Sequence, residues 1–195
     1  TKTYWNNNFT IIYKGNFKNY YETSIDSNNN EVKVYKNGFH TKKNEISKLK
    51  IISNNKIVKS YEGKFYNNEF ISGKIYTLLK NNVKYYETGK FKKDIIYGNA
   101  KTELIINNKI VKSYEGTIHD NKFDGFGKLY LNDGNNITKY KGNFRDDKFN
   151  GKGCIEIYND NNDYQKIAGE FVDHKCIEGF LIKKDSHNEF KSRIY

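Results

Sequence analysis

The sequence predicts an all-β fold: an elongated, single-layer antiparallel meander of about seven stacked β-hairpins. Three observations predict it. A Tyr-x-Gly-x-Phe motif recurs about every 26 residues, and Asn-rich clusters recur with the same period. Between them lie short runs in which polar and apolar residues alternate, the signature of strands.

The period is plainest where Asn54 to Gly63 is repeated, residue for residue, as Asn107 to Gly116. With the glycine, or the residue in its place, as anchor, copies fall at 15, 37, 63, 89, 116, 142 and 169. The Asn-rich clusters fall near 7, 29, 54, 81, 107, 133 and 160. Asn and Gly tolerate positive φ, so these clusters read as hairpin turns. No segment carries a helical period.

Within a unit, strand residues i, i+2 and i+4 share a face. Tyr61, Gly63 and Phe65 therefore lie together, as do Tyr114, Gly116 and Ile118. The corresponding residues are Tyr86, Gly89 and Phe91 in the altered middle copy, Tyr140, Gly142 and Phe144, and later Gly169 and Phe171. A glycine beside aromatics leaves a flat gap where a ring can lie on the backbone. The opposite face carries Glu62 and Lys64, or Lys141 and Asn143, which suits water. A turn over 121–125 or 147–151 should follow, with Gly125 and Gly151 as turn glycines. The return strand then starts at Gly127 or Gly153.

Composition fits a thin sheet. Of 195 residues only 36% are hydrophobic, yet 16% are aromatic, with 17 Tyr and 13 Phe. A disordered chain would be poor in aromatics, and a thick aliphatic core would need more aliphatic residues. No apolar run approaches the roughly 20 residues that span a bilayer. Two cysteines, Cys154 and Cys176, do not make a disulfide framework, and a reducing, cytoplasmic setting is expected. Asn8 and Asn136 open glycosylation patterns of the kind that arise by chance in an Asn-rich chain. The net charge of +11 points to an anionic partner or to a solvated lysine surface.

The motif resembles the MORN repeat, the membrane occupation and recognition nexus. Tyr114, Gly116, Gly125, Gly127, Asp133 and Gly134 carry the resemblance best, followed by Tyr140, Gly142, Phe144, Asn150, Gly151 and Gly153. The copy at 86 keeps Gly89, Phe91 and Gly98, with Ala100 at the last glycine position. The copies at 61 and 167 move the late glycine by one, to Gly73 and Gly179, and the first two copies lack it. The array should run over 1–195 as one unit, degenerate at 1–60 and clearer at 61–182. It is expected to be excised from a longer array, since Tyr195 falls where the next motif would start. The resemblance implies hairpins that bury each other's aromatics, so that none is stable alone.

No catalytic constellation is visible. His40, His119, His174 and His187 are scattered, and Gly125-Phe126-Gly127 and Gly151-Lys152-Gly153 precede no helix that could cradle phosphate. No cofactor, metal or catalytic residue is expected. For binding, Lys59, Lys64, Lys90, Lys112, Lys128 and Lys152 recur with the period and suggest a row facing an acidic partner or lipid. The expected function is a non-catalytic scaffold that binds protein and associates with acidic phospholipid membrane, peripheral to membrane or cytoskeleton. The resemblance also allows a regulatory array attached to a lipid-kinase or lysine-methyltransferase domain outside this chain. Nucleic-acid binding through Tyr and Lys is a weaker alternative, and a homodimer through the sheet ends is a further expectation.

Overall fold

The computed structural model describes residues 3–6, 9–14, 19–25, 31–37, 46–53, 56–66, 69–159, 163–185 and 187–195, with side-chain surroundings from residue 50 onward except at 52 and 53. Its contacts group into two compact units, 1–95 and 96–195. Every described strand pairs antiparallel with its sequence neighbours inside its unit. The fold is the expected meander.

The first unit holds β1 (Thr3–Asn6), β2 (Phe9–Lys14), β3 (Asn19–Ile25), β4 (Glu31–Asn37), β5 (Ile46–Ser53), β6 (Lys56–Tyr66), β7 (Glu69–Leu78) and β8 (Lys84–Lys92). One 3-10 turn, Lys80–Asn82, joins β7 to β8. The second unit holds β9 (Ile95–Ile106), β10 (Lys109–His119), β11 (Lys122–Asn132), β12 (Asn136–Arg145), β13 (Lys148–Asn159), β14 (Tyr164–Val172), β15 (Lys175–Lys184) and β16 (Glu189–Ile194). The motif glycines at 15 and 38 and the polar clusters near 7, 29, 54 and 160 lie outside the described residues.

The turns are tighter than the sequence suggests. Asp120 and Asn121 have φ of 47° and 62°, and Asp146 and Asp147 have 51° and 67°. These two-residue turns match the right-handed twist of the strands they join, which is why short polar residues that tolerate positive φ occupy them. The expected turns over 121–125 and 147–151 are thus too long. Phe123 and Phe149 already lie on β11 and β13, facing Ile118 and Phe144. Asn107 and Asn108 do form the expected connector turn, with φ of 49° and 60°.

Glycine faces glycine across four motif hairpins: Gly63 and Gly73, Gly116 and Gly127, Gly142 and Gly153, Gly169 and Gly179. The one-residue shift of Gly73 and Gly179 in the sequence is absorbed before the pair forms. In β6–β7 and β14–β15 a single extra residue, Ile71 or Ile177, makes the bulge. In β10–β11 three residues, 124–126, lie opposite Thr117, and in β12–β13 residues 150–152 lie opposite Asn143. Gly125 and Gly151 sit inside these larger bulges with φ of 84° and 86°, a conformation that favours glycine.

One sheet face in each unit is aromatic and buried. In the first unit it holds Tyr61, Phe65, Phe70, Ile75 and Phe91. In the second it holds Tyr114, Ile118, Tyr140, Phe144 and Phe171, with Tyr114 wholly inaccessible. The packing unit is a tyrosine, the return-strand phenylalanine of its hairpin, and the phenylalanine of the next hairpin. Tyr114 stacks flat on Phe123 at 3.6 Å, and Phe144 meets both edge-on at 5.3 and 5.8 Å. Tyr140, Phe149 and Phe171 repeat the arrangement, with ring distances of 3.8, 5.7 and 6.3 Å. Edge-to-face rings of this kind add roughly 0.5–1.5 kcal/mol per pair beyond their burial.

Candidate binding surface

The motif residues are engaged in this packing. A Cβ added at Gly127 would meet the Tyr114 ring at 2.6 Å, and one at Gly153 would strike the Tyr140 ring. The tyrosine therefore lies directly on the glycine backbone, in the gap that the sequence anticipates. At Gly116 and Gly142 an added Cβ would come within 2.6 and 2.5 Å of the same tyrosine hydroxyls. Each hydroxyl donates to a carbonyl beside the bulge, Tyr114 to Thr117 at 2.7 Å and Tyr140 to Asn143 at 2.8 Å. Burial pushes both phenols up to about 12. Gly63, Phe65, Phe91 and Phe171 lie on the aromatic face, and Gly169 faces Gly179.

Tyr86 needs a correction. Gly89 pairs with Gly73, so the residue two positions before it, at the place of the motif tyrosine, is Glu87. Tyr86 points to the opposite face, where its ring meets Tyr76 at 5.2 Å and Lys74 lies over it at 4.6 Å. The middle copy carries one residue more between the aromatic pair and the glycine, which turns the ring over. Glu87 is half-buried in its stead. Burial raises its carboxyl above the ordinary range, aided by Asp94 and opposed by Lys59.

The six candidate lysines do not form one row. Lys59 and Lys112 belong to the aromatic face, with ammonium groups 4.9 Å from the Tyr61 ring and 5.4 Å from the Phe123 ring. Lys59 also pairs with Asp94 at 3.7 Å. The opposite face carries the other four. Lys64 and Lys90 flank Ser72 in the first unit. In the second, Lys152 faces Glu170, while Lys128 lies on the other side of the glycine pair and faces Lys141.

A contribution missed in the sequence comes from the second residue of three hairpin turns, Asp94, Asp147 and His174. It reaches back to the preceding hairpin of the same unit. The Asp147 carboxylate accepts from the Phe123 N–H at 2.7 Å, and the Asp147 N–H donates to the Phe123 carbonyl at 3.0 Å. His174 does the same for Phe149, with its Nδ1 accepting at 3.3 Å and its N–H donating at 3.0 Å. In the first unit Asp94 accepts from the Tyr61 hydroxyl at 2.9 Å. His174 is exposed, as a turn residue should be, yet it has this structural task.

The opposite face of the second unit contains a hollow of about 580 Å³. Lys101, Lys128, Lys139, Lys141 and Lys166 line it, with Glu115 and Glu156 as the acidic members and Tyr130 and Cys154 between them. Glu156 is fully occupied. Lys166 lies 3.3 Å from it, and Tyr158 and Tyr164 donate to it at 3.2 and 3.3 Å. Burial works to raise the Glu156 carboxyl, but these partners outweigh it and hold the group below its ordinary value. Burial also raises the Cys154 thiol, so it is no reactive thiolate. Among the described residues no three His, Cys, Asp or Glu side chains group to hold a metal ion, and no helix is long and apolar enough to cross a membrane.

No curated protein matches the chain. The MORN repeat family model matches residues 114–136 and 140–161. These stretches begin at Tyr114 and Tyr140, the two tyrosines that stack on their own return-strand phenylalanine over a glycine pair, beside a bulge glycine of positive φ. Residues 114–136 and 140–161 match as MORN repeats, and they are the two copies in which every element of that geometry coincides.

Proposed function

We propose that the chain is a non-catalytic repeat scaffold that binds protein with the sheet face opposite its aromatic core. One observation carries this reading: the faces divide the work. The recurring aromatics and glycines are consumed in packing, as Tyr114 at 0% exposure illustrates. The opposite face of the second unit presents charged and phenolic groups around a hollow of a size that suits side chains. A photo-cross-linking amino acid at Tyr130 tests it. Discrete protein adducts in cells are expected. Labelling of lipid alone would overturn the reading.

A second reading, a seat on acidic phospholipid, draws on the net charge of +11. Flotation with phosphatidylserine vesicles at low salt, with and without phosphoinositide, separates the two. A chain that stays at the bottom of the gradient is a protein-interaction module.

A further inference from the structure

We infer that the hollow on the second unit is a docking track for an extended acidic peptide segment, read chiefly by Lys128 and Lys141. This rests on the scaffold reading above and names its partner's chemistry. Lys128 and Lys141 are directly opposite each other on β11 and β12. Like charges so placed are about 5 Å apart at their Cβ atoms and destabilise the sheet. Among the described residues, neither ammonium is in an ion pair. Their neighbours in the hollow are engaged: Lys101 with Glu103 at 2.7 Å, Lys166 with Glu156 at 3.3 Å, and Lys139 over the Tyr158 ring at 5.0 Å. On their other sides Lys128 lies opposite Glu115 and Lys141 opposite Cys154, so an incoming carboxylate relieves the repulsion most at Lys141 and is shared with Lys128.

The shape favours a peptide over other anions. The lining runs from Lys101 on β9 to Lys166 on β14. Five inter-strand steps of about 4.8 Å make a track of roughly 24 Å, the length of about seven extended residues. Glu115 and Glu156 interrupt the lysines along it. A densely charged phosphate group would be repelled by them, whereas a peptide with spaced acids can place small or polar residues there. A flat bilayer needs cations on a protruding surface, and these line a hollow.

The test uses the full chain and a fluorescent peptide of about eight residues alternating Glu and Ser. Anisotropy should rise to saturation, and the K128E/K141E variant should bind at least about tenfold more weakly, the loss of roughly 1.4 kcal/mol. The K128Q/K141Q variant should lie between. The equal-charge control K109E/K183E, at exposed positions outside the hollow, should bind like the wild type. Circular dichroism and the thermal midpoint report on folding of all four. Unchanged affinity in K128E/K141E would overturn the proposal. So would an equal loss in the control, or displacement of the peptide by millimolar inorganic phosphate as readily as by unlabelled peptide. Adducts at Tyr130 without peptide binding would leave the scaffold reading standing and sink this one alone.

Discussion

Hairpins β10–β11 and β6–β7 begin with the same ten residues, counted from the Asn-rich turn, yet pack differently. Both bring glycine opposite glycine. In β10–β11 the three-residue bulge carries Phe123 under Tyr114, and the rings stack within 5° of parallel. In β6–β7 the bulge is one residue shorter, and Phe70 meets Tyr61 edge-on at 5.3 Å and 70°. The Tyr114 hydroxyl closes on its own hairpin at Thr117, whereas the Tyr61 hydroxyl reaches Asp94 in the next turn. One extra bulge residue therefore decides whether a hairpin completes its tyrosine site alone. Hairpin β14–β15 goes further: it has the short bulge, and Ile167 and Cys176 replace the tyrosine and the phenylalanine.

The largest test of this contrast is truncation. Tyr114→Ala should cost about 3–5 kcal/mol in urea unfolding. Cys176→Ala, at the equivalent of Phe123, should cost about 1 kcal/mol. Equal shifts would mean that the stacked pair is not the main anchor of its hairpin.

Next is glycine. Gly127→Ala collides with the Tyr114 ring and should cost roughly 1–3 kcal/mol, part of which Tyr114→Leu restores in the double mutant. Gly73→Ala is different. Its Cβ meets the Glu62 carbonyl oxygen and the Gly63 Cα, at a φ of 138°. Tyr61→Leu should give no rescue there, and a double-mutant cycle that finds equal coupling in both hairpins would refute the distinction.

Alkaline pH comes third. Burial raises the Tyr114 and Tyr140 phenols to about 12 against an ordinary value of 10. Their folded pKa is above the unfolded one, so the neutral forms stabilise the fold fully below pH 10. That contribution, on the order of 2 kcal/mol per ring, is lost as pH rises toward 12. Thermal midpoints between pH 8 and pH 12 should fall, and the Tyr114→Phe variant should fall less. The smallest effect is the hydroxyl itself near neutral pH. Tyr114→Phe should cost about 1 kcal/mol by leaving the Thr117 carbonyl without its donor, and Tyr61→Phe about half that, since Asp94 is half in water.

Much of the architecture is legible in the residues. The period of Tyr-x-Gly-x-Phe locates the motif strands, and the glycine gap foretells a ring lying on the backbone. Turn position is less legible, because Asp and Asn are so common here that 120–121 and 121–125 look equally turn-like. Only the paired positive φ separates them. Bulges are also silent in the alternation, which is why Phe123 reads as a turn residue although it is half of the central stack. The lysine surface misled for a simpler reason. Lys59 is an even number of positions from Tyr61 and Lys64 an odd number, so parity alone puts them on opposite faces. Glu87 escaped notice because Tyr85 and Tyr86 draw the eye, although counting back from Gly89 reaches the acid. The hollow depends on six strands brought side by side, and no short stretch of sequence announces it.

The back-reaching turns have a consequence for how such a chain is made. Phe123 has its N–H and carbonyl satisfied by Asp147, and Phe149 has its own satisfied by His174. Tyr114 is closed off by Phe144, and Tyr140 by Phe171. Each layer is finished by the one that leaves the ribosome after it. Across β10–β13 growth is vectorial: each of the two hairpins waits with an open ring pair and an uncapped phenylalanine until the next one seals it. A chain stalled after β11 would expose the Tyr114–Phe123 pair as a sticky end, and one stalled after β13 the Tyr140–Phe149 pair.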